Sequence, residues 1–214
     1  MIPASAYNSS TAMTVYNIDG TAYTGFGLYG TGNDASDSKT VANAIAMPEK
    51  FFSFYNETTY NWNNLSYFYN YWNAACTSTT GQPADDQSLA IKTIYDPSPV
   101  GYMLPAVRFA TGFTTTGSNT SDSTQFNVIG SFNNGWTFKK DSSDATGVYF
   151  PAAGYRGYSS SSLTNVGSGG YWWTYAPSSQ AYARYLYFNS GDVYPLNGNY
   201  RAYGFAVWAA LELN

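Results

Sequence analysis

Histidine is absent from this chain of 214 residues, and cysteine occurs once, at Cys76. The lack of histidine removes the commonest general base and the commonest metal ligand. A single cysteine cannot form an internal disulfide, and it gives no signal about the cellular compartment. Zinc and the transition metals therefore lack their preferred ligands, whereas calcium, which needs only oxygen ligands, remains open.

Charge and long apolar runs are also scarce. Charged residues make up 10% of the chain, and the nine Lys and Arg residues are outnumbered by thirteen Asp and Glu. Without a basic stripe, we expect no nucleic-acid partner. No apolar run approaches the roughly 20 residues that a membrane-spanning helix needs, so we expect no membrane insertion. The start MIPASAYNSS lacks signal-peptide regions, so either export uses another route or Met1 begins a trimmed chain, and we favour the second.

The familiar catalytic motifs are missing as well. No GxSxG occurs, and the one SxxK match, Ser36 to Lys39, lacks the SDN and KTG partners of such sites. Asp85 and Asp86 are adjacent in a pattern typical of a helix start, although two carboxylates distant in the chain can still pair for glycoside hydrolysis. We predict that the protein is not an enzyme and that it has no cofactor and no metal site.

The N-terminal part of the chain has few regular patterns. We predict a helix over Asp37 to Met47, a second short helix over Asp85 to Lys92, and a hairpin at Asp19-Gly20 within Ala12 to Gly30. Residues 1–90 then form an N-terminal subdomain or an elaboration of the main fold.

From about residue 92 the patterns become clearer. TIYDPSPVGYMLPA holds three prolines in nine residues and predicts a non-helical crossing. QFNVIGSFNNGWTFKK predicts two strands joined at Asn133-Asn134-Gly135, and TGVYFPAAGYR predicts another. GGYWWTYAP, ARYLYFNSGDVYP and AYGFAVWAALEL complete the set. The prediction is an α+β fold of short antiparallel strands with long loops and about two short helices.

Four segments carry a family resemblance: YDPSPVGYMLPA, FPAAGYR, VGSGGYWWT and YLYFNSGDVYPLNGNYRAYGFAV. In this order they resemble the C-type-lectin-like variable proteins of diversity-generating retroelements, which occur in phages and on bacterial surfaces. The family pattern runs DPCPxGWxxP, FPAxGYR, G.YWSS and YLYF.S..V.P.....R..GFSVRCV. The resemblance covers roughly residues 90–210. It implies a C-type-lectin-like domain over residues 91–214, with a variable ligand-binding region at about 155–208.

The resemblance also implies how the protein works. In such systems adenines copied from a template are mutated, so Asn codons become Tyr, Ser, Asp or Ala while framework codons stay fixed. The implied function is receptor binding through a hypervariable surface, on a phage tail-fibre tip in the virion or on an extracellular bacterial surface protein. The implied partner is a protein or glycan receptor on a cell surface, and a homotrimer is compatible with this role.

Three positions depart from the family. Ser98 stands for the cysteine of DPCP and Ala209 for the cysteine of SVRCV, so both halves of the implied disulfide are missing together. Trp208 replaces the usual Arg, which leaves the packing of the final strand open. The EPN, QPD and WND calcium signatures of C-type lectins are missing from the C-terminal stretch, so calcium-dependent sugar binding is not implied.

Tyrosine is concentrated near the C-terminus, where ten of the 22 tyrosines fall between Tyr155 and Tyr203. If Leu186 and Phe188 face the core, strand alternation turns Tyr185, Tyr187 and Asn189 outward. The candidate ligand-binding residues are Tyr158, Tyr171, Trp173, Tyr175, Tyr182, Tyr185, Tyr187, Asn189, Asp192, Tyr194, Asn197, Asn199, Tyr200 and Tyr203.

A purely structural role is the alternative for these rings, since tyrosine has good strand propensity and forms cross-strand pairs. It stays open above all for Tyr155, Tyr203, Trp172 and Trp173. Tyr203 shares the parity of Phe205 and points inward unless Gly204 marks a bulge. The arginines Arg156, Arg184 and Arg201 are expected to brace loops. Two other functions also stay open: a carbohydrate-binding or carbohydrate-cleaving module, and a structural fibre subunit.

Overall fold

The computed structural model of the chain describes residues 19–21, 27–29, 39–47, 50–53, 62, 70–76, 87–140, 143, 145–159, 162–179 and 181–213. These residues form one α-helix, α1 (Val41–Ala46), and short 3₁₀ helices at Gln87–Leu89, Val107–Phe113 and Ser123–Gln125. The strands are β1 (Gly27–Tyr29), β2 (Lys50–Phe52), β3 (Tyr102–Met103), β4 (Val128–Ile129), β5 (Gly135–Phe138), β6 (Val148–Pro151), β7 (Tyr155–Arg156), β8 (Leu163–Thr164), β9 (Gly170–Pro177), β10 (Tyr182–Phe188), β11 (Val193–Tyr200), β12 (Ala206–Val207) and β13 (Ala210–Leu211). This mixed, mostly β architecture confirms the prediction of short strands with few short helices.

The largest sheet has four strands in the order β11-β10-β9-β12. β9, β10 and β11 are antiparallel neighbours, whereas β12 joins β9 in parallel. In the centre of the sheet, Tyr185 lies opposite Trp173 on one side and Asn197 on the other. The antiparallel prediction is therefore correct for three strands of this sheet and wrong for β12.

The central strand β9 is buried on both faces. Every residue of β9 is buried, and the side chains from Tyr171 to Trp173 alternate between two core clusters. Trp173 packs with Tyr185 and Phe205 on one face. Trp172 packs on the other, in a cluster with Phe188. A strand that is buried on both faces has a continuous apolar and aromatic sequence, and GYWWTYAP is such a sequence.

A second sheet has the order β4-β5-β6 and covers one of these clusters. β4 and β5 pair as an antiparallel hairpin, as predicted, with the turn at Asn133-Asn134-Gly135. Asn134 has a φ of 52°, in the left-handed region that asparagine tolerates better than most residues. Trp208 packs against Phe150 in this cluster, with the two rings tilted and their centroids 4.7 Å apart, so this residue is partly buried against the core.

The proline-rich segment is non-helical, as predicted, and Asp96 holds it together. The carboxylate of Asp96 accepts hydrogen bonds from the backbone N–H of Ser98 at 2.8 Å and of Leu104 at 2.9 Å. Lys92 Nζ lies 3.1 Å from the same carboxylate and donates to the carbonyls of Ser98 and Tyr102. These bonds fix the conformation of the segment that leads into β3, and β3 pairs with β13 near the C-terminus.

Both predicted helices are shorter than expected. α1 begins at Val41 with Thr40 as its N-cap, and the predicted start at Asp37 lies outside the described residues. Within Asp85 to Lys92 the described helix is only the 3₁₀ turn Gln87–Leu89. The chain leaves the helix there because the Ile91 carbonyl accepts from Ala74 N–H and Lys92 bridges to Asn73.

The predicted hairpin lies mostly outside the described residues. Asp19 and Gly20 do form a turn, in which Gly20 has a φ of 80°. β1, within the predicted hairpin, pairs in parallel with β2. No helix in the described part of the chain has the length and apolar character that crossing a membrane requires.

Residues before position 90 also contribute to the main core. Cys76 is 3% exposed and belongs to the same cluster as Trp173. The ring of Phe51, in β2, lies against Gly204, where an added Cβ would be 2.7 Å from the Phe51 ring. β2 therefore packs against the segment that carries Tyr203 and Phe205.

The outer edge of β11 is covered by residues 119–120. Thr120 and Val193 exchange two backbone hydrogen bonds of 3.0 Å each. The Asn119 side-chain oxygen accepts from Leu196 N–H at 3.0 Å, and Pro195, between them, has no N–H to offer. This stretch of the edge therefore has few unpaired backbone donors.

Candidate binding site

A pocket of about 230 Å³ opens on the β9–β10 face of the main sheet. We call it the tyrosine pocket. Its ring-bearing walls are Tyr155, Tyr171, Tyr185, Tyr187, Tyr203 and Phe205. Two amide side chains, Asn197 and Asn199 from β11, complete the described lining. The pocket thus brings together residues from β7, β9, β10, β11 and the segment before β12.

Tyr171 and Tyr185 form the floor of the pocket. They are 8% and 4% exposed, and their rings are stacked with centroids 6.2 Å apart. The prediction that Tyr185 points away from Leu186 is correct, because the two side chains lie in different core clusters. The expectation that it faces solvent is wrong, because Phe205 covers it at 4.7 Å. Tyr203 packs beside Phe205 at 5.2 Å and is half-buried. The prediction that Tyr203 points inward, on the same side of the strand as Phe205, is therefore correct.

Asparagine side chains position the phenol groups of the pocket. Asn197 Nδ2 donates to the Tyr185 hydroxyl at 3.0 Å. Asn165 Nδ2 donates to the Tyr171 hydroxyl at 2.8 Å. Because a phenol that accepts a hydrogen bond keeps its own proton to donate, the floor can present O–H donors to a bound molecule.

These phenols are neutral at neutral pH, as tyrosine ordinarily is, and burial extends the neutral range to higher pH. Burial raises the pKa of Tyr185 to about 12 and the pKa of Tyr203 to about 12. Burial likewise raises the pKa of Tyr171. At neutral pH these walls therefore carry no charge, and they interact through ring surface and hydrogen bonds.

Beyond the pocket, tyrosine rings continue along the surface on one side. Tyr203 meets Tyr158 at 4.9 Å, Tyr158 meets Tyr200 at 5.4 Å, and Tyr200 stacks on Tyr182 at 4.8 Å. Tyr182, the outermost ring, is 37% exposed. On the opposite side, Tyr187 meets Tyr194 at 5.6 Å. We call Tyr158, Tyr182, Tyr194 and Tyr200 the tyrosine rim.

The β10–β11 turn is held by its own polar side chains. Asn189 Oδ1 accepts from the backbone N–H of Gly191 and of Asp192, while its Nδ2 donates to the Tyr187 hydroxyl at 2.6 Å. Asp192 accepts from Ser121 Oγ at 2.7 Å, from Asn189 Nδ2 and from the Tyr194 hydroxyl. The Ser121 bond is the main cause that lowers the pKa of Asp192. Asn189 and Asp192 therefore fix the position of the rings around them.

Compared with protein-family models, with curated proteins and with solved structures, the chain gives no significant match.

Two of the predicted binding residues lie elsewhere. Trp173 and Tyr175 line a separate cavity of about 290 Å³, whose other wall includes α1. Both rings are buried, at 4% and 3% exposure. The sequence predicts a helix here but no cavity against it, so the cavity is a new finding of the structure.

The tyrosine pocket also contains residues that the prediction omitted. The sequence leaves Tyr155 open between a structural and a binding role, and Phe205 is not among the predicted binding residues. The signal for both was their place in the FPAAGYR and AYGF segments, beside predicted binding residues. Arg201 braces the loop before β10, as predicted, by donating to the carbonyls of Ser179 at 2.7 Å and Tyr182 at 3.3 Å.

Among the described residues, no group of three or more Cys, Asp or Glu side chains has a spacing that would hold a metal ion. The described lining of the tyrosine pocket offers phenol, amide and ring surface. Such a surface can bind by shape, stacking and hydrogen bonding.

Proposed function

We propose that this chain is a receptor-binding protein that recognises its target through the tyrosine pocket and the tyrosine rim. The observation that carries the proposal is the continuous series of ring contacts from Tyr182 to Tyr194, with the pocket between them. Tyrosine offers a large contact area, few rotatable bonds and one polar tip, which is why antibody paratopes are rich in it. Tyr182 at the end of the rim is 37% exposed, while the floor rings Tyr171 and Tyr185 are buried and held by packing, so the surface is preorganised for binding.

The proposal includes the finer assignments that the resemblance implies. These are a C-type-lectin-like fold over residues 91–214, and display on a phage tail fibre or a bacterial surface. In support, three of the four segments that carry the resemblance contribute to one pocket. Tyr155 comes from FPAAGYR, Tyr171 from GGYWWT, and Tyr185 from YLYF. Segments that lie far apart in the chain thus contribute to one concave surface.

A glycan is a second candidate target, favoured by the lining of the pocket. Neutral phenols and the amides of Asn197 and Asn199 offer both donors and acceptors beside ring faces. Sugar rings present hydroxyl groups and apolar C–H faces, which suit such a lining. A protein receptor is favoured by the wider rim, which extends well beyond a single small ligand.

The proposal is tested by measuring attachment of the fluorescently labelled chain to a panel of bacterial strains by flow cytometry. The double variant Tyr182→Ala and Tyr200→Ala removes one stacked pair of the rim. We expect attachment to fall by about tenfold or more, as for interface hot spots, with little change in thermal midpoint. The matched control is Tyr102→Ala, which removes an exposed tyrosine, 44% accessible, that lies in neither cavity.

Two outcomes would contradict the proposal: no strain retains the chain, or the rim variant attaches as well as the control. Where attachment occurs, its loss after protease treatment of the cells indicates a protein receptor, and its loss after periodate indicates a glycan. A gene-level test is independent of both. Diversification requires a nearby copy of the 3′ end of the gene that differs only at adenines, together with a reverse transcriptase.

A further inference from the structure

Amide N–H groups surround the phenol of Tyr185 in the tyrosine pocket. Asn197 and Asn199 line the pocket beside this residue. Burial is the main influence on the pKa of Tyr185 and raises it, whereas hydrogen bonds with Asn199 and Asn197 lower it. A hydrogen bond from an amide lowers the pKa of a tyrosine because it stabilises the phenolate oxygen. Both amides therefore present N–H groups to the phenol oxygen.

The backbone fixes the orientation of these two amides. Asn197 Oδ1 accepts from Gly198 N–H at 2.9 Å. Asn199 Oδ1 accepts from Tyr200 N–H at 2.9 Å. The oxygens are thus held by the backbone, and the Nδ2 groups are left to face Tyr185.

The Tyr187 hydroxyl is held by an amide in the same way. Asn189 Nδ2 donates to it at 2.6 Å and to the Asp192 carboxylate at 2.7 Å, so both amide hydrogens are used. Asn189 Oδ1 accepts from two backbone N–H groups. Tyr185 and Tyr187 therefore both accept hydrogen bonds from amides and keep their own O–H hydrogens to donate.

The O–H hydrogen of Tyr185 is a donor without an acceptor among the described residues, since its hydrogen bonds there are ones in which the phenol oxygen accepts. A phenol that accepts hydrogen bonds also becomes a stronger donor, because bonds in a chain polarise one another. A buried donor that lacks an acceptor is costly, and a ligand oxygen placed in the pocket would remove that cost. The floor of the pocket is therefore built to receive an acceptor atom.

The charges near the pocket favour a neutral acceptor over an anion. The described lining contains no Lys, Arg, Asp or Glu. Burial is the main cause that raises the pKa of Tyr187, and the negative charge of Asp192 adds to it. An anionic ligand would lose its water, meet no cation among the described lining residues and lie near this carboxylate. A carbonyl oxygen meets none of these difficulties.

The remaining lining is ring surface. Phe205 stacks with Tyr203 at 5.2 Å, and Tyr155 meets the two rings edge to face at 6.1 and 5.3 Å. Methyl groups and the C–H faces of sugar rings pack well on such surfaces. The volume of about 230 Å³ lies below the usual range for drug-sized ligands, so the pocket admits one small part of a larger target.

An acetamido group has the properties that this lining requires: a neutral carbonyl oxygen, an apolar methyl group and a single N–H. The side-chain amide of a glutamine in a protein target has two N–H hydrogens and no methyl group, so it suits a donor-rich, ring-lined pocket less well. On the basis of the receptor-binding role proposed above, we propose that the tyrosine pocket binds the acetamido group of an N-acetylated sugar on the target, with the Tyr185 hydroxyl donating to its carbonyl oxygen.

The probe is methyl N-acetyl-β-glucosaminide, titrated into the full chain and followed by NMR. The side-chain amide signals of Asn197 and Asn199 should move as the probe is added. The signal of Asn127, which donates to the Gly112 carbonyl, should stay in place. Two matched probes replace the acetamido group on the same sugar, one with a hydroxyl and one with a carboxymethyl ether. Both should bind about fivefold or more weakly, the equivalent of one hydrogen bond.

Two substitutions test the donor. Tyr185→Phe removes the hydroxyl and keeps the ring, so probe binding should weaken by about fivefold or more. Asn197→Asp replaces an amide donor by a carboxylate that accepts the Tyr185 O–H, which turns this donor away from the ligand, and the same loss is expected. The control Tyr102→Phe alters an exposed tyrosine outside the pocket and should leave binding unchanged. If a variant has a much lower thermal midpoint, the amide signals of the unmodified chain decide.

Equal binding of the three sugar probes would overturn the proposal, and so would amide signals of Asn197 and Asn199 that stay in place. Propionamide, which stands for a glutamine side chain, overturns the sugar assignment if it binds as tightly as the acetamido sugar. These outcomes are distinct from failure of the receptor-binding role. A chain that attaches to cells through its rim but does not bind the probe loses only the acetamido site. A chain that binds the probe and attaches to no strain keeps this site and loses the receptor role.

Discussion

The phenol oxygen of Tyr185 accepts a hydrogen bond from the side-chain amide of Asn197, the residue directly opposite it on β11. Tyr185 thus contributes a ring to the core and a hydroxyl to the tyrosine pocket. Replacing it with Phe should cost about 1 kcal/mol, the usual value of one hydrogen bond. Replacing it with Ala should cost about 3 to 5 kcal/mol, since a cavity is left under Phe205. Urea unfolding measures both, and a Tyr185→Ala cost as small as that of exposed Tyr102→Ala would contradict the core role.

Gly170 is required by the ring of Phe188, directly across the β9–β10 pair. A Cβ at Gly170 would lie 2.1 Å from Phe188 Cζ, and Phe188 is fully buried. Gly170→Ala should therefore destabilise the protein by roughly 1 to 3 kcal/mol or more through overpacking. Gly191→Ala, in the exposed turn after β10, meets its nearest atom at 3.7 Å and should be close to neutral. Similar thermal midpoints for the two variants would show that Phe188 can move aside.

The buried tyrosines predict a loss of stability at alkaline pH. Burial raises the pKa of Tyr185 and of Tyr203 to about 12, whereas an unfolded tyrosine has a pKa of 10.0. Between these values the unfolded chain binds fewer protons than the folded chain, so the free energy of unfolding falls as pH rises from 10 towards 12. The contribution is fully present below pH 10. Urea midpoints on either side of pH 10 measure it, and Tyr185→Phe should reduce the dependence.

The turn between β10 and β11 predicts a shift in the titration of Asp192. The Ser121 hydroxyl is the first cause that lowers the pKa of this carboxyl, through a 2.7 Å bond. Ser121→Ala should raise the pKa of Asp192 towards its usual value of 3.8. Because a lowered carboxyl pKa stabilises the fold above that value, the variant should also lose less stability as pH falls. NMR titration measures the pKa, with exposed Ser190→Ala as the control that should leave it unchanged.

Much of the strand content was predictable because local patterns are strong there. The turn Asn133-Asn134-Gly135 and the alternation of Leu186 with Tyr185 are read directly from sequence, since both depend on neighbouring residues. The parallel pairing of β12 with β9 could not be predicted from sequence, because it depends on where the chain returns after Tyr200. The helix over Asp85 to Lys92 was overestimated because the bonds of Ile91 and Lys92 to residues 73–74 are non-local.

The sequence predicted which residues form the candidate site better than it predicted how deeply each of them is buried. Tyr187 and Tyr203 share the tyrosine pocket, as the clustering of tyrosines near the C-terminus indicated. Tyr185 lies in its floor because Phe205 covers the face that alternation had assigned to solvent. Trp173 and Tyr175 line the separate cavity of about 290 Å³, whose other wall includes α1, more than 120 residues earlier in the chain. No sequence spacing predicts a contact over that separation.

The capping of β11 by Asn119 and Thr120 bears on solubility. An open strand edge recruits strands from other copies and starts aggregation, a hazard that grows when aromatic side chains lie beside it. Here Thr120 occupies the backbone groups of Val193, Asn119 occupies Leu196 N–H, and Pro195 has none. The sheet can therefore display a row of tyrosines to a partner while this part of its edge is closed to strand addition by its own copies.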